Sequence, residues 1–227
     1  MAKFDFSKLS HYKHLCVMFP GGAGGNHISN LISTIDIFEK MFPSKNYIDD
    51  IVDRYENIYK KYIGNRRNKM FAIHGTKVHF TEYNNLEHLK VSEEKEKILK
   101  SKRKNILMGH AHCFYEAINI TKTFIDASEC CWLVMSVPSE TSLAGQRALQ
   151  GEFGLLSTKD YMLPTALGSV KLTENDGFIL DTDLFISNFG WEHLNETLIS
   201  NLGIELNPKT KRMHELWVNN IAEIVSH

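Results

Sequence analysis

The stretch Leu15 to Ile32, LCVMFPGGAGGNHISNLI, constrains the chain most, because a short apolar run passes through four glycines directly into an amphipathic segment. Glycines at 21, 22, 24 and 25 let the backbone adopt positive φ and remove the side chains that would keep an anion from the amide groups. The first N–H groups of a following helix have no partner inside it, and the macrodipole places partial positive charge at that end. The pattern predicts a strand, a phosphate-binding loop and a helix starting at Asn26, with Asn26 as its N-cap. Ile28, Leu31, Ile32 and Ile35 recur at helical spacing, so one face of that helix should pack on a sheet. A bare strand-to-helix turn without a ligand would need fewer glycines.

Any anion site must be local, since 26 basic and 27 acidic residues leave a formal net charge of −1. Nothing global draws the chain to nucleic acid or to an anionic membrane. No leader pattern opens it and no apolar run approaches the roughly 20 residues that cross a bilayer, so a cytoplasmic location is expected. With 227 residues and 43% hydrophobic content the chain reads as a single α/β domain. Cys16, Cys113, Cys130 and Cys131 show no CxxC spacing and read as buried thiols rather than a disulfide frame.

Along the chain, strand and helix signals alternate. Tyr47 to Tyr62 carries Ile48, Ile51, Val52, Tyr55, Ile58 and Tyr59 at helical spacing. Met70 to His74 reads as a strand, Leu86 to Arg103 as a charged helix, Asn105 to Met108 as a strand ending at Gly109-His110-Ala111-His112, and Cys130 to Val137 as another. Ser139 to Gln150 continues as a helix, and Gly177 to Leu180 gives a strand before Asp181 and Asp183, whose expected role is to cap the next helix, a Walker B-like acid or acceptor-binding groups being the alternative. Trp191, Leu194, Leu198 and Leu202 stripe one C-terminal helix, stopped by Gly203; Met213, Leu216, Trp217, Ile221 and Ile224 stripe a second, opened by Pro208. Apolar, unalternating strands between helices predict a parallel sheet covered on both faces.

The glycine stretch lacks the residues of a Walker A loop, GxxxxGK[ST], whose Lys neutralises the β and γ phosphates. Asn26 and His27 follow Gly25 instead, which weakens an ATPase or GTPase reading. The chain resembles the sulfotransferase branch of the P-loop fold in four places. Pro20-Gly21-Gly22-Ala23-Gly24-Gly25-Asn26-His27 is similar to that family's 5′-phosphosulfate loop, PxxGTxxL, and His110 in ILMGHAH falls where cytosolic members carry a catalytic His. LVMSVPSETSLAGQR resembles the turn, often RNPxDxxxS, that grips the cofactor 3′-phosphate, and the C-terminal pair of helices resembles the family's closing pair.

The resemblance implies a three-layer αβα, P-loop NTPase-like fold with a mostly parallel sheet, one domain over residues 1–227. It also implies sulfuryl transfer from 3′-phosphoadenosine 5′-phosphosulfate to a hydroxyl or amine of a small molecule or glycan. The family's 3′-phosphate Arg and Ser would fall at Ser136 and Ala144, so Ser136, Ser139, Ser142 and Arg147 are the expected replacement donors. A nucleotide or small-molecule kinase, and a non-catalytic relative that binds a nucleotide or a protein, are the alternatives.

Such chemistry needs a base for the acceptor's proton and fixed donors around the leaving phosphate, but no metal. His110 is the first expected base and His112 the second, an imidazole being suited to proton transfer near neutral pH. Residues two apart on a strand face one side, so His110 and His112 could also share a Zn²⁺, but a third ligand has only His74 or His79 to supply it. No metal is therefore expected.

Overall fold

The computed structural model of the chain describes residues 7–19, 24–40, 42–62, 78–81, 100, 102–110, 126–136, 139 and 177–225. Its centre is a parallel sheet. β1 (His14–Phe19) lies between β3 (Asn105–His110) and β4 (Cys130–Met135), and β5 (Gly177–Leu180) extends the sheet beyond β4. A fifth strand, β2 (Val78–Thr81), pairs with the outer side of β3, giving the order β2-β3-β1-β4-β5.

β1, β4 and the described side chains of β3 are mostly apolar and buried on both faces. Leu15, Val17, Ile106, Met108, Leu133 and Met135 point to one face and enter the main core. Cys16, Met18, Leu107, Trp132 and Val134 point to the other, and each is at most 4% exposed. Alternation is absent where neither face meets water. Cys16, Cys130 and Cys131 are buried and form no disulfide, while Cys113 lies outside the described residues.

Helices cover the first face: α1 (Ser7–Ser10), α2 (Gly25–Ile32), α3 (Tyr47–Tyr62), α4 (Thr182–Phe185), α5 (Gly190–Leu202) and α6 (Lys211–Val225). Leu194, Leu198 and Leu202 of α5 and Met213, Leu216 and Trp217 of α6 are buried in that core, as their spacing predicts. Burying each such side chain is worth about 1.5–3 kcal/mol. Among the described residues, no helix is long and apolar enough to cross a membrane.

Several boundaries differ from expectation. α2 begins at Gly25 and its N-cap is Gly24, at φ 86°, so Asn26 sits inside the first turn and not at the cap. α2 also stops at Ile32, short of Ile35. Just past its end, Lys40 donates to the carbonyls of Ser33 at 3.1 Å and Ile35 at 3.2 Å, where a cation complements the helix C-terminus. β3 runs on through Gly109 to His110, and β4 stops at Met135. Pro208 opens a 3-10 turn (Pro208–Thr210), after which α6 starts at Lys211. Lys102 and Arg103, assigned to a helix from the charge pattern, lie in bends, and β2 falls where no strand is predicted. The Met70–His74 strand and most of the Leu86–Arg103 and Ser139–Gln150 helices lie outside the described residues.

Candidate functional site

Because every strand runs the same way, all carboxyl ends meet one edge of the sheet. β1 is the middle strand, and the chain moves from β3 on one side of it to β4 on the other. That makes the end of β1 a topological switch point, where connections diverge and open a crevice in α/β sheets. Phe19 ends β1 there, and the glycine stretch follows it into the N-terminus of α2. In the register of the sheet, Phe19 aligns with His110, and His110 with Thr81. The expected base thus occupies the strand position beside the start of the loop.

Close approach requires glycine at both Gly24 and Gly25, and at Gly24 the backbone angle requires it as well. A Cβ on Gly24 would stand 2.8 Å from the Trp217 ring, and one on Gly25 would stand 2.1 Å from the Phe19 ring. The loop-to-helix junction is therefore pressed against an aromatic wall from α6 and β1. Asn26 is half-buried, and the first α-helical bond runs from the Ile28 N–H to the Gly24 carbonyl at 3.0 Å. Pro20, Gly21, Gly22 and Ala23 lie outside the described residues, as do His112, Ser142 and Arg147.

His27 turns away from the crevice. Its ring stacks on Trp217 with centroids 4.5 Å apart and planes at 16°. Nδ1 is 2.9 Å from the Tyr55 hydroxyl, and Nε2 is 3.2 Å from Nδ1 of His214. Asn30 donates to the same tyrosine oxygen at 2.6 Å, and His214 Nε2 lies 3.1 Å from the Ser187 carbonyl. Burial holds His27 well below the usual imidazole range, and nearby His214 adds to the effect. Burial also lowers His214, against opposing contributions from the Ser187 carbonyl, Glu192 and Glu215.

At the far side of the edge, Ser136 and Ser139 are both engaged by the segment after β5. The Ser136 hydroxyl accepts from the Thr182 N–H at 2.9 Å, and the Thr182 hydroxyl donates to the Ser136 carbonyl. Ser139 N–H donates to both oxygens of Asp183, at 3.0 and 3.2 Å. Asp181 caps α4 as expected, its side chain accepting from the Leu184 N–H at 3.0 Å. Sequence reasoning missed His214, Tyr55 and Asp183 as partners of the site residues, and placed Trp217 only in the core. No local signal marks them, since His214 lies 187 residues from His27 and Asp183 lies 44 from Ser139.

A cavity of about 300 Å³ opens near the other end of α2, lined by Thr34, Ile35, Ile37, Ile48, Ile204 and Asn207 among others. It is separate from the glycine stretch. Among the described residues, no three His, Cys, Asp or Glu side chains converge on a position that could hold a metal ion. No family model, curated protein or solved structure matches the chain.

Proposed function

We propose that the chain is a sulfotransferase-like enzyme of P-loop type, with a three-layer αβα domain, that binds 3′-phosphoadenosine 5′-phosphosulfate at the glycine stretch. The observation that supports this reading most is the position of Phe19, Gly24 and Gly25 at the carboxyl end of the middle strand, with His110 aligned beside Phe19. The donor supplies an activated sulfuryl group. His110 takes the proton of the acceptor hydroxyl or amine as that atom bonds to sulfur, while the N–H groups of the stretch and of the α2 N-terminus hold the leaving phosphate. Ser142 and Arg147 are assigned to the cofactor 3′-phosphate, with Ser136 and Ser139 beside them.

One observation favours a second reading, a relative that binds a nucleotide or a partner protein without catalysis. Asp183 places a carboxylate on the Ser139 N–H, where the sulfotransferase reading wants an anion. Calorimetry of the full chain with adenosine 3′,5′-bisphosphate and with Mg·ATP separates the readings. Metal-independent binding of the bisphosphate supports the sulfotransferase; binding of Mg·ATP alone supports a kinase, whose chemistry needs the metal to bridge phosphates. Binding of neither supports a protein-binding relative.

A further inference from the structure

The cavity of about 300 Å³ beyond the C-terminal end of α2 lies at the small end of the range for sites that hold small molecules. Three segments far apart in sequence build it: the turn after α2, the first turn of α3, and the extended stretch that leads from α5 to the 3-10 turn. Each supplies isoleucine to the walls, Ile35 and Ile37 from the first, Ile48 from the second and Ile204 from the third. Such walls accept a compact apolar body and leave its orientation to the few polar groups around them.

Those polar groups are mostly acceptors. Thr34 spends both its N–H and its hydroxyl on the Leu31 carbonyl, at 3.3 and 2.6 Å. The Ile35 N–H goes to the Ile32 carbonyl and the Gly203 N–H to the Ile199 carbonyl, each at 3.0 Å. The side-chain amide of Asn207, whose oxygen already takes the Lys209 N–H at 3.0 Å, is the remaining side-chain donor among the described lining residues. Against it stand the exposed carboxylates of Asp36 and Glu205, and none of the described lining residues is basic.

The helices add charge of the same sign. α2 ends at Ile32, two residues before Thr34, and α5 ends at Leu202 with Gly203 as its cap, so two helix C-termini bring partial negative charge to the cavity. α3 has its positive end beside Ile48, where Asp49 and Asp50 in its first turn offset it. Two cations stand nearby. Lys209 is engaged by Asp49, and Lys40 by the carbonyls of Ser33 and Ile35, with Asp36 at 3.4 Å. The Asp36 side chain of that last pair is fully exposed, and an ion pair of this kind holds its carboxylate only weakly.

We propose that this cavity binds a small organic cation, an amine whose apolar body seats against the four isoleucines while Asp36 and Glu205 hold its ammonium group. The walls supply the apolar fit, and the carboxylates and helix ends select the charge. Nothing in this site draws on the glycine stretch or on sulfuryl transfer.

The test titrates the full chain at neutral pH and low salt with three probes of one shape: cyclohexylmethylamine, cyclohexylmethanol and cyclohexanecarboxylate. Amide nitrogen-15 spectra follow the binding. The amine should bind saturably with shifts confined to residues 34–37, 48 and 203–207, the alcohol roughly fivefold more weakly, and the carboxylate more weakly still. Added salt should narrow the gap between amine and alcohol, because exposed charges are screened. Asp36→Asn combined with Glu205→Gln, at two exposed positions that leave the core untouched, should bring the amine down to the affinity of the alcohol. Ile48→Trp, which fills the cavity from the half-buried first turn of α3, should abolish binding of both. Equal affinity for amine and alcohol overturns the proposal, as does unchanged amine binding by the double variant. Shifts centred elsewhere, or no binding of the amine at millimolar concentration, overturn it too.

Discussion

At the scale of single residues, the site rests on side chains whose polarity is satisfied inside the protein. Tyr55 is fully buried with two partners on its hydroxyl, His27 and Asn30. Tyr55→Phe leaves the shape intact but removes the hydroxyl from both, and a buried group left without its partner costs about 1–3 kcal/mol. Urea denaturation should show that loss, and an unchanged midpoint would mean that the network contributes nothing. His110→Ala addresses the proposed chemistry. Its removal should lower turnover about 10²- to 10⁴-fold while leaving bisphosphate affinity nearly unchanged, since a base acts in the transition state. Full activity in a panel of hydroxyl and amine acceptors would move the base to His112 or Asp183.

At the scale of elements, the junction of β1 and α2 is held by what packs behind it. Gly24→Ala forces a side chain into the left-handed region, at about 1–2 kcal/mol, and pushes a methyl group into Trp217, at about 1–3 kcal/mol more. The expected outcome is a lower melting temperature together with weakened anion binding; a variant with unaltered stability would mean that Trp217 yields freely. The short α4 depends on its cap in a simpler way. Asp181→Ala removes the acceptor for the Leu184 N–H and should cost about 1 kcal/mol, read from the same urea curves. The neighbouring Asp183 caps nothing of this kind: it reaches back to Ser139 and ties the segment after β5 to the end of β4.

At the scale of the whole molecule, three buried histidines make the fold sensitive to acid. His14 is brought down to about 4, chiefly by burial, with Lys13 and Lys104 adding to it. His27 and His214 are lowered as well, chiefly by burial. In each case the unfolded chain binds protons more readily than the folded one below the ordinary histidine value near 6.5. Stability should therefore be level above about pH 6.5 and fall as pH drops from there toward 4. Urea midpoints at pH 7.5, 5.5 and 4.5 measure this, and a midpoint that holds constant down to pH 4.5 would contradict it.

What could be read from the amino-acid order is what local physics decides. The bounds of α3, the stop of α5 at Gly203, the cap at Asp181 and the apolar strands all follow from periodicity, backbone freedom or side-chain hydrogen bonding within a few residues. The glycine run located the strand-to-helix junction, and the unalternating strands implied a parallel sheet with two buried faces. Even there, the cap of α2 passed from Asn26 to Gly24, because the wall formed by Trp217 and Phe19 sets where the chain can turn. The four-residue β2 stayed hidden, being too short to show a period and defined only by pairing with β3. The placing of β1 in the middle of the sheet, the alignment of His110 beside Phe19 and the inward turn of His27 toward His214 were decided by tertiary packing alone. Each joins residues far apart in sequence, and burial selects such partners by shape and unpaired polar groups, which leave no mark on neighbouring residues.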